Sequence, residues 1–219
     1  MKTSQEIEFF LLKFIYNENV LVPRLETESL VRETLRFSKA KNADVLLDIW
    51  TWSGIIPVAL GKNYSFEKIF ALDISQDALD IARINSDRLN VNIEFIKSDL
   101  LEYIFDSSFD FRQKKVVMTA NLPYIKDEDW GNMSEDTVFE PKIALFWWQN
   151  TGLELYIKFF KSLNNYVLTQ FKWESLDLFI EFGYDQSTEV LDYFRTLDIQ
   201  CKLFKDLRWI ERFAHIKYR

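Results

Sequence analysis

From Ala43 to Asn121 the chain repeats one pattern, a short apolar run closed by a polar residue. Val45-Leu46-Leu47 closes on Asp48, Ile69-Phe70-Ala71-Leu72 on Asp73, Ile93-Glu94-Phe95-Ile96 on Ser98-Asp99, and Val116-Val117-Met118-Thr119 on Asn121. Apolar positions at helical spacing follow the first two runs: Ile55 to Leu60 after Asp48, then Leu79, Ala82, Ser86 and Leu89 on one face after Asp73. Strand and helix in alternation predict an α/β fold with a doubly wound parallel sheet, whose strands end in polar residues at one edge and build a cleft there.

The flanks complete the sheet. Phe9 to Tyr16 and Val20 to Val22 alternate like strands, with Asn17-Glu18-Asn19 as a turn. Pro23-Arg24-Leu25-Glu26-Thr27-Glu28 runs into a helix marked by Leu30, Val31 and Leu35, with Thr27 or Glu26 suited to its start. Leu153, Tyr156, Ile157, Phe160, Leu163 and Val167 form a helical stripe. Leu176 to Phe182 reads as a buried strand closed by Gly183, followed by a helix from Gln186 to Thr196. Two strands without a helix between them, Ile199 to Phe204 and Arg212 to Tyr218, imply an antiparallel hairpin. Residues 1–22 are expected to be a short lead with a hairpin, and residues 23–219 the domain proper.

Candidate chemistry sits at the strand ends. Asn121 offers one planar amide, and Leu122, preceding Pro123, is pushed to extended backbone with its carbonyl held out. Two neighbouring acceptors can take both hydrogens of an NH2 group while Tyr124 lies under its plane. That geometry suits methylation of an amide or a nucleobase amine, both weak nucleophiles. The plainer reading of Asn121, Leu122, Pro123 and Tyr124 is a strand end with a turn. Asp48, then the loop Trp50-Thr51-Trp52-Ser53-Gly54 opening a helix, then Asp73 at the next strand end, describe a nucleotide-type site in which the second acid bonds ribose hydroxyls. No Lys or Arg stands in that loop to take a phosphate. A cofactor without phosphates, S-adenosylmethionine, fits better, its sulfonium facing Asp48, Asp73 and Asp99; the plainer reading is that these acids are simply solvated.

Composition narrows the class. The 219 residues are 48% hydrophobic and 16% aromatic, ample for one core, and no apolar run reaches the roughly 20 residues that span a membrane. A net charge of −7 repels phosphate backbones, so nucleic acid is a disfavoured partner. The single cysteine, Cys201, excludes an internal disulfide framework and fits the cytoplasm. No metal site is expected, and His215 in the last strand reads as structural. Glycine at its usual frequency of about 7% would number about 15 here, yet there are 5, beside 7 tryptophans.

VLVPRLETESLV at 20–31, DIWTWSG at 48–54, ALDISQDALDIARINSDRLNV at 71–91, SDLLE at 98–102, ANLPYI at 120–125, FEPKIALFWWQNTGLELY at 139–156, IEFGYDQ at 180–186 and KDLRWIERF at 205–213 follow one another in an order that resembles the HemK/PrmC family. These are class I, S-adenosylmethionine-dependent methyltransferases of a glutamine side-chain nitrogen in peptide chain release factors. The resemblance covers about 200 residues. It implies a Rossmann-like, seven-stranded mixed sheet with a C-terminal antiparallel hairpin. It implies that Asp48, residues Trp50 to Gly54, Asp73, Asp99, Leu100 and Asn121 line the cofactor pocket. It also implies that Asn121 to Tyr124 hold the glutamine of a Gly-Gly-Gln loop. NLPY alone also resembles rRNA adenine dimethyltransferases, so an adenine N6-methyltransferase on rRNA or DNA is the alternative.

The chain departs from that pattern in three ways. The family's loop looks like D-L-G-T-G-S-G, whereas tryptophan occupies positions 50 and 52 here; glycines also look expected at Trp147, Trp148, near Trp173 and at Trp209. Six of seven tryptophans thus stand where the family has glycine, and independent drift from the smallest residue to the largest at six sites is improbable. Codons for glycine written as tryptophan would account for both abnormal counts. If the tryptophans are genuine, a non-catalytic protein with a blocked cleft is expected. Leu122 replaces a proline, and only about 20 residues precede PRLETE where family members look to carry a helical domain that grips the release factor.

Overall fold

A computed structural model describes residues 4–102, 109–126, 151–169 and 173–218. The segment around FEPKIALFWWQN, with Trp130, Trp147 and Trp148, lies outside the described residues.

Strands β1 (Gln5–Phe9) and β2 (Leu12–Tyr16) form a hairpin ahead of the main sheet. Helix α1 (Glu28–Lys41) leads to β3 (Val45–Ile49), α2 (Ile55–Asn63), β4 (Lys68–Asp73), α3 (Gln76–Leu89), β5 (Glu94–Lys97) and β6 (Lys115–Ala120). Helix α4 (Glu154–Thr169), β7 (Ser175–Glu181), α5 (Ser187–Thr196), β8 (Gln200–Lys205) and β9 (Glu211–Tyr218) complete the described elements. The seven-stranded sheet runs β5-β4-β3-β6-β7-β9-β8. Its first five strands are parallel, while β9 pairs antiparallel with β7 and β8, which is the expected terminal hairpin.

Every residue of β3 is buried, because helices cover both faces and leave no side of the strand to water. Val45, Leu47 and Ile49 pack with Tyr156, Phe159, Phe160 and Phe194, from α4 and α5. Leu46 and Val117 point to the opposite layer, with Leu30 and Val31 of α1, Val58 of α2, and Phe9 and Phe14 of the hairpin. The chain leaves β3 toward β4 on one side and returns as β6 on the other. That reversal opens the crevice in which open α/β sheets bind ligands, above the carboxyl ends of β3 and β6.

The N-terminal lead departs from expectation. Phe9 to Tyr16 reads as one strand, but the chain reverses at Phe10 and Leu11, both left-handed at φ 52° and 61°, the geometry of a tight hairpin turn. Neither residue is a glycine or asparagine, so the turn carries no sequence signal. Residues 20–22 form no strand; Val20 instead closes the turn at Asn17. The hairpin docks through Asn85 of α3, whose amide oxygen accepts from Ile15 N at 2.7 Å and whose Nδ2 donates to Ile15 O at 2.8 Å.

Candidate active site

Three strand ends converge on the crevice. Asp48, in β3, is 1% exposed and accepts a hydrogen bond from Thr119 Oγ1 of β6 at 2.5 Å, while its Oδ2 has no hydrogen-bond partner among the described residues. Burial pushes its pKa up to about 7, opposed by the Thr119 and Thr51 hydroxyls and assisted by the nearby Asp73 carboxylate. Asp73 closes β4 and is equally buried; Oδ1 accepts from Ser75 N and Oδ2 from Trp52 N, both at 2.9 Å. Burial raises it to about 7 as well. Ser98 N extends the β5 pairing to Asp73 O at 2.9 Å. Beyond it, Asp99 pairs with Lys158 of α4 at 2.6 Å and Leu100 is buried in a left-handed turn at φ 55°.

The loop from β3 to α2 has a strict backbone requirement. Positions 50, 52 and 54 are all left-handed, with φ of 64°, 53° and 77°. Gly54 meets this without strain, and it is also the point where α2 presses on α3: a Cβ there would lie 2.9 Å from Ala82 Cβ. Trp50 and Trp52 carry side chains in a region that costs an L-residue about 1–2 kcal/mol. Their indoles lie 2% and 5% exposed with ring centroids 6.0 Å apart, packed among Leu72, Leu100 and Leu122. Trp52 Nε1 donates to the Asn121 carbonyl at 2.9 Å, so one indole bridges the space between the ends of β3 and β6. Burying an indole removes about 150–250 Å² from water, worth a few kcal/mol at about 25 cal/mol per Å². Burial therefore outweighs the strain, and the chain as written folds with its crevice filled.

The two indoles occupy part of the crevice between the ends of β3 and β6. Asp73 Oδ2 accepts from the Trp52 backbone N, while Asp48 Oδ2, Thr51 Oγ1, Ser53 Oγ and Asp99 Oδ1 are buried without hydrogen-bond partners among the described residues. Polar atoms left in this way at the ends of β3 and β5 suit a polar ligand or water.

The loop Asn121–Tyr124 is held by several distant segments. Asn121 is 4% exposed and Leu122 1% at the end of β6. Tyr156 of α4 uses a single hydroxyl to tie three backbone groups. It accepts from Leu122 N at 3.1 Å, and lies at hydrogen-bonding distance from the carbonyls of Ala120, at 3.2 Å, and Glu181. Burial holds its phenol neutral, far above the usual tyrosine range. Gln186 Nε2 donates to Tyr124 O and Thr151 O, both at 3.0 Å. Gly152, at φ 78°, lies so close that a Cβ would stand 2.2 Å from Tyr124 O. The Tyr124 hydroxyl donates to Glu181 Oε1 at 3.3 Å, and Thr27 Oγ1 donates to Glu181 Oε2 at 2.7 Å. Burial raises Glu181 to about 7, opposed by those two hydroxyls and by Arg212.

The motif reading singled out Asn121 to Tyr124 but not the groups that hold them. Thr27, Tyr156, Gly152, Glu181 and Gln186 all lie in the quoted motifs PRLETE, TGLELY and IEFGYDQ, and their distance from NLPY along the chain hid the contact. Thr27 stands at the start of α1 as expected, yet its side chain caps nothing and goes to Glu181 instead. His215 pairs with Asp177 at 2.7 Å and stacks on Phe179, a packing role away from the crevice. Among the described residues no cluster of His, Cys, Asp or Glu could hold a metal ion, and no helix is long and apolar enough to cross a membrane.

The strand order and the acid-lined crevice define a class I methyltransferase fold. The ribosomal protein L11 methylase of Lactobacillus delbrueckii subsp. bulgaricus superposes with a TM-score of 0.59 at 17% identity, over 90% of this chain and 80% of that one. The Thermus thermophilus 16S rRNA N2 G1207 methyltransferase does so with 0.64 at 7% identity, over 99% of this chain and 50% of that one. In sequence, the release factor glutamine methyltransferase of Lactococcus lactis subsp. lactis is 35% identical over 213 residues, 96% of this chain and 74% of that protein. The enzyme of that name from Enterococcus faecalis is 31% identical over 212 residues, 95% and 72% respectively. The one from Flavobacterium psychrophilum is 37% identical over 158 residues, 70% of this chain and 53% of that protein. The chain belongs to the release factor glutamine methyltransferase family. It spans between 53% and 74% of the length of these three relatives. No family model matches it.

Proposed function

We propose that this protein, with the β3–α2 loop free of indole, transfers a methyl group from S-adenosylmethionine to the side-chain amide nitrogen of the glutamine in the Gly-Gly-Gln loop of a peptide chain release factor. The observation that carries the reading is the clamped Asn121–Tyr124 loop beside Asp48 and Asp73, in a chain of this family. The Asn121 side-chain carbonyl and the Leu122 carbonyl accept the two amide hydrogens. The Tyr124 ring supports the amide plane and turns its lone pair toward the crevice. Asp73 holds the ribose, and Asp48, Thr51, Ser53, Gly54, Asp99 and Leu100 form the remaining walls of the cofactor pocket. The cofactor supplies an electrophilic methyl group. No general base is needed before transfer, because the methylated nitrogen is acidic and loses its proton to water; holding the two reactants in line supplies most of the rate. The partner is a cytoplasmic translation protein.

An exocyclic adenine amine presents the same two hydrogens, which is the second reading. The net charge of −7 weighs against it. The test is methyl transfer by the Trp50→Gly, Trp52→Gly protein to a release factor, to the same factor with the loop glutamine changed to alanine, and to RNA and DNA. Label in the first alone supports the proposal, while label in nucleic acid and none in the release factor overturns it.

A further inference from the structure

Three of the four described tryptophans sit in left-handed backbone: Trp50, Trp52 and Trp209, with φ of 64°, 53° and 65°. Only a few per cent of non-glycine residues adopt such angles, and those are mainly asparagine and aspartate, whose short side chains tolerate it. Phe10, Leu11, Leu100 and Gln113 are left-handed as well, so the conformation alone does not single out tryptophan; what does is that three of the four described tryptophans share it.

A closed crevice selected for its own sake would explain positions 50 and 52, where the indoles are buried and fill a ligand space. It does not explain Trp209. That residue lies in the turn between β8 and β9, 80% exposed, remote in sequence from the β3–α2 loop. The turn is built by Asp206, whose Oδ1 accepts from Arg208 N at 2.8 Å and Ile210 N at 2.9 Å, and whose backbone carbonyl accepts from Trp209 N at 3.1 Å. Those bonds force position 209 into the left-handed region whatever its side chain, and the exposed indole gains no core packing there. Two unrelated places in the fold share one anomaly, a backbone shaped for glycine carrying the largest residue. A cause common to both acts where the chain is specified, not at the site.

We infer that the working protein carries glycine at positions 50, 52 and 209, a codon written here as tryptophan being decoded as glycine in the source cell. The inference deepens the proposed function at positions 50 and 52, and stands apart from it at 209. Glycine at 50 and 52 relaxes the loop, opens the space between Asp48, Asp73 and Asn121, and gives Asp48 Oδ2 and Ser53 Oγ a polar occupant or water. Glycine at 209 relaxes the turn and removes an exposed indole.

Two measurements test it. Peptide mass spectrometry of the protein isolated from its native cells should read glycine at all three positions; tryptophan at any of them overturns the inference. Calorimetric titration with S-adenosylmethionine should show binding at least 100-fold tighter for the Trp50→Gly, Trp52→Gly protein than for the chain as written; equal binding overturns the part of the inference by which glycine at 50 and 52 opens the crevice. The two proposals fail separately. Native glycine with no methyl transfer to a release factor removes the proposed activity and leaves the decoding intact, whereas native tryptophan removes the decoding whatever the enzyme does.

Discussion

Thr27 and Glu181 lie 154 positions apart in the chain and share a buried hydrogen bond of 2.7 Å. The other carboxylate oxygen of Glu181 accepts from Tyr124, so one buried acid joins the start of α1, the end of β7 and the loop that follows β6. Thr27→Val in the Trp50→Gly, Trp52→Gly background should lower kcat about tenfold with the KM for S-adenosylmethionine within twofold, and Thr27→Ser should restore it. Misplacing a reacting group by about 1 Å is worth up to about 100-fold. A loss confined to thermal stability, with kcat unchanged, would leave Thr27 a packing residue.

Asn121 is the residue on which the amide-holding reading depends. Asn121→Ala should reduce methyl transfer by about 100- to 1000-fold, the usual loss when one preorganised polar contact to a reacting group is removed. Binding of S-adenosylmethionine, followed by calorimetry, should change far less. Activity within threefold of the parent would show that the nitrogen is held elsewhere.

Gly152 is fixed by the same loop. With φ at 78° and Tyr124 O only 2.2 Å from a would-be Cβ, Gly152→Ala must move either α4 or the acceptor loop. We expect a loss of about 1–3 kcal/mol in urea unfolding and a fall in kcat, since strain of this kind is relieved only by displacement. An alanine variant with unchanged unfolding midpoint would mean that the loop yields freely.

The buried acids give a pH signature. Asp48, Asp73 and Glu181 each titrate near 7 in the folded chain as written, above their ordinary values of 3.8 and 4.5. The fold therefore binds more protons than the unfolded chain between those limits. Stability is fully present below about pH 4 and declines as pH rises toward 7, by up to about 1.4 kcal/mol per pH unit for each acid. In the Trp50→Gly, Trp52→Gly protein, water reaches Asp48 and Asp73, and the slope should shrink toward that of Glu181 alone. Urea unfolding of both proteins from pH 4 to 8 measures the difference; parallel curves would show that the indoles do not set these acids.

The sheet was legible because its inner parallel strands β3, β4 and β6 are buried on both faces and so read as apolar runs ending in a polar residue, while the edge strand β5 is half exposed and carries Glu94 and Lys97. Asp48, Asp73 and Asn121 could be placed at one edge from that pattern, and the two terminal strands from the missing helix between them. The hairpin at Phe10-Leu11 was not legible, since its turn uses left-handed residues without a glycine or asparagine to mark them. The supports of Tyr124 were hidden for another reason. Thr27, Gly152, Glu181 and Gln186 owe their roles to contacts between distant segments, and nothing in local spacing ties PRLETE to IEFGYDQ.

Asn85 is wholly buried in α3, and its one Nδ2 donates both to Ile15 O and to Ser53 O. The hairpin and the β3–α2 loop hang from the same amide. Removal of that amide would release the hairpin and the start of α2 together, since both rest on the one side chain of α3.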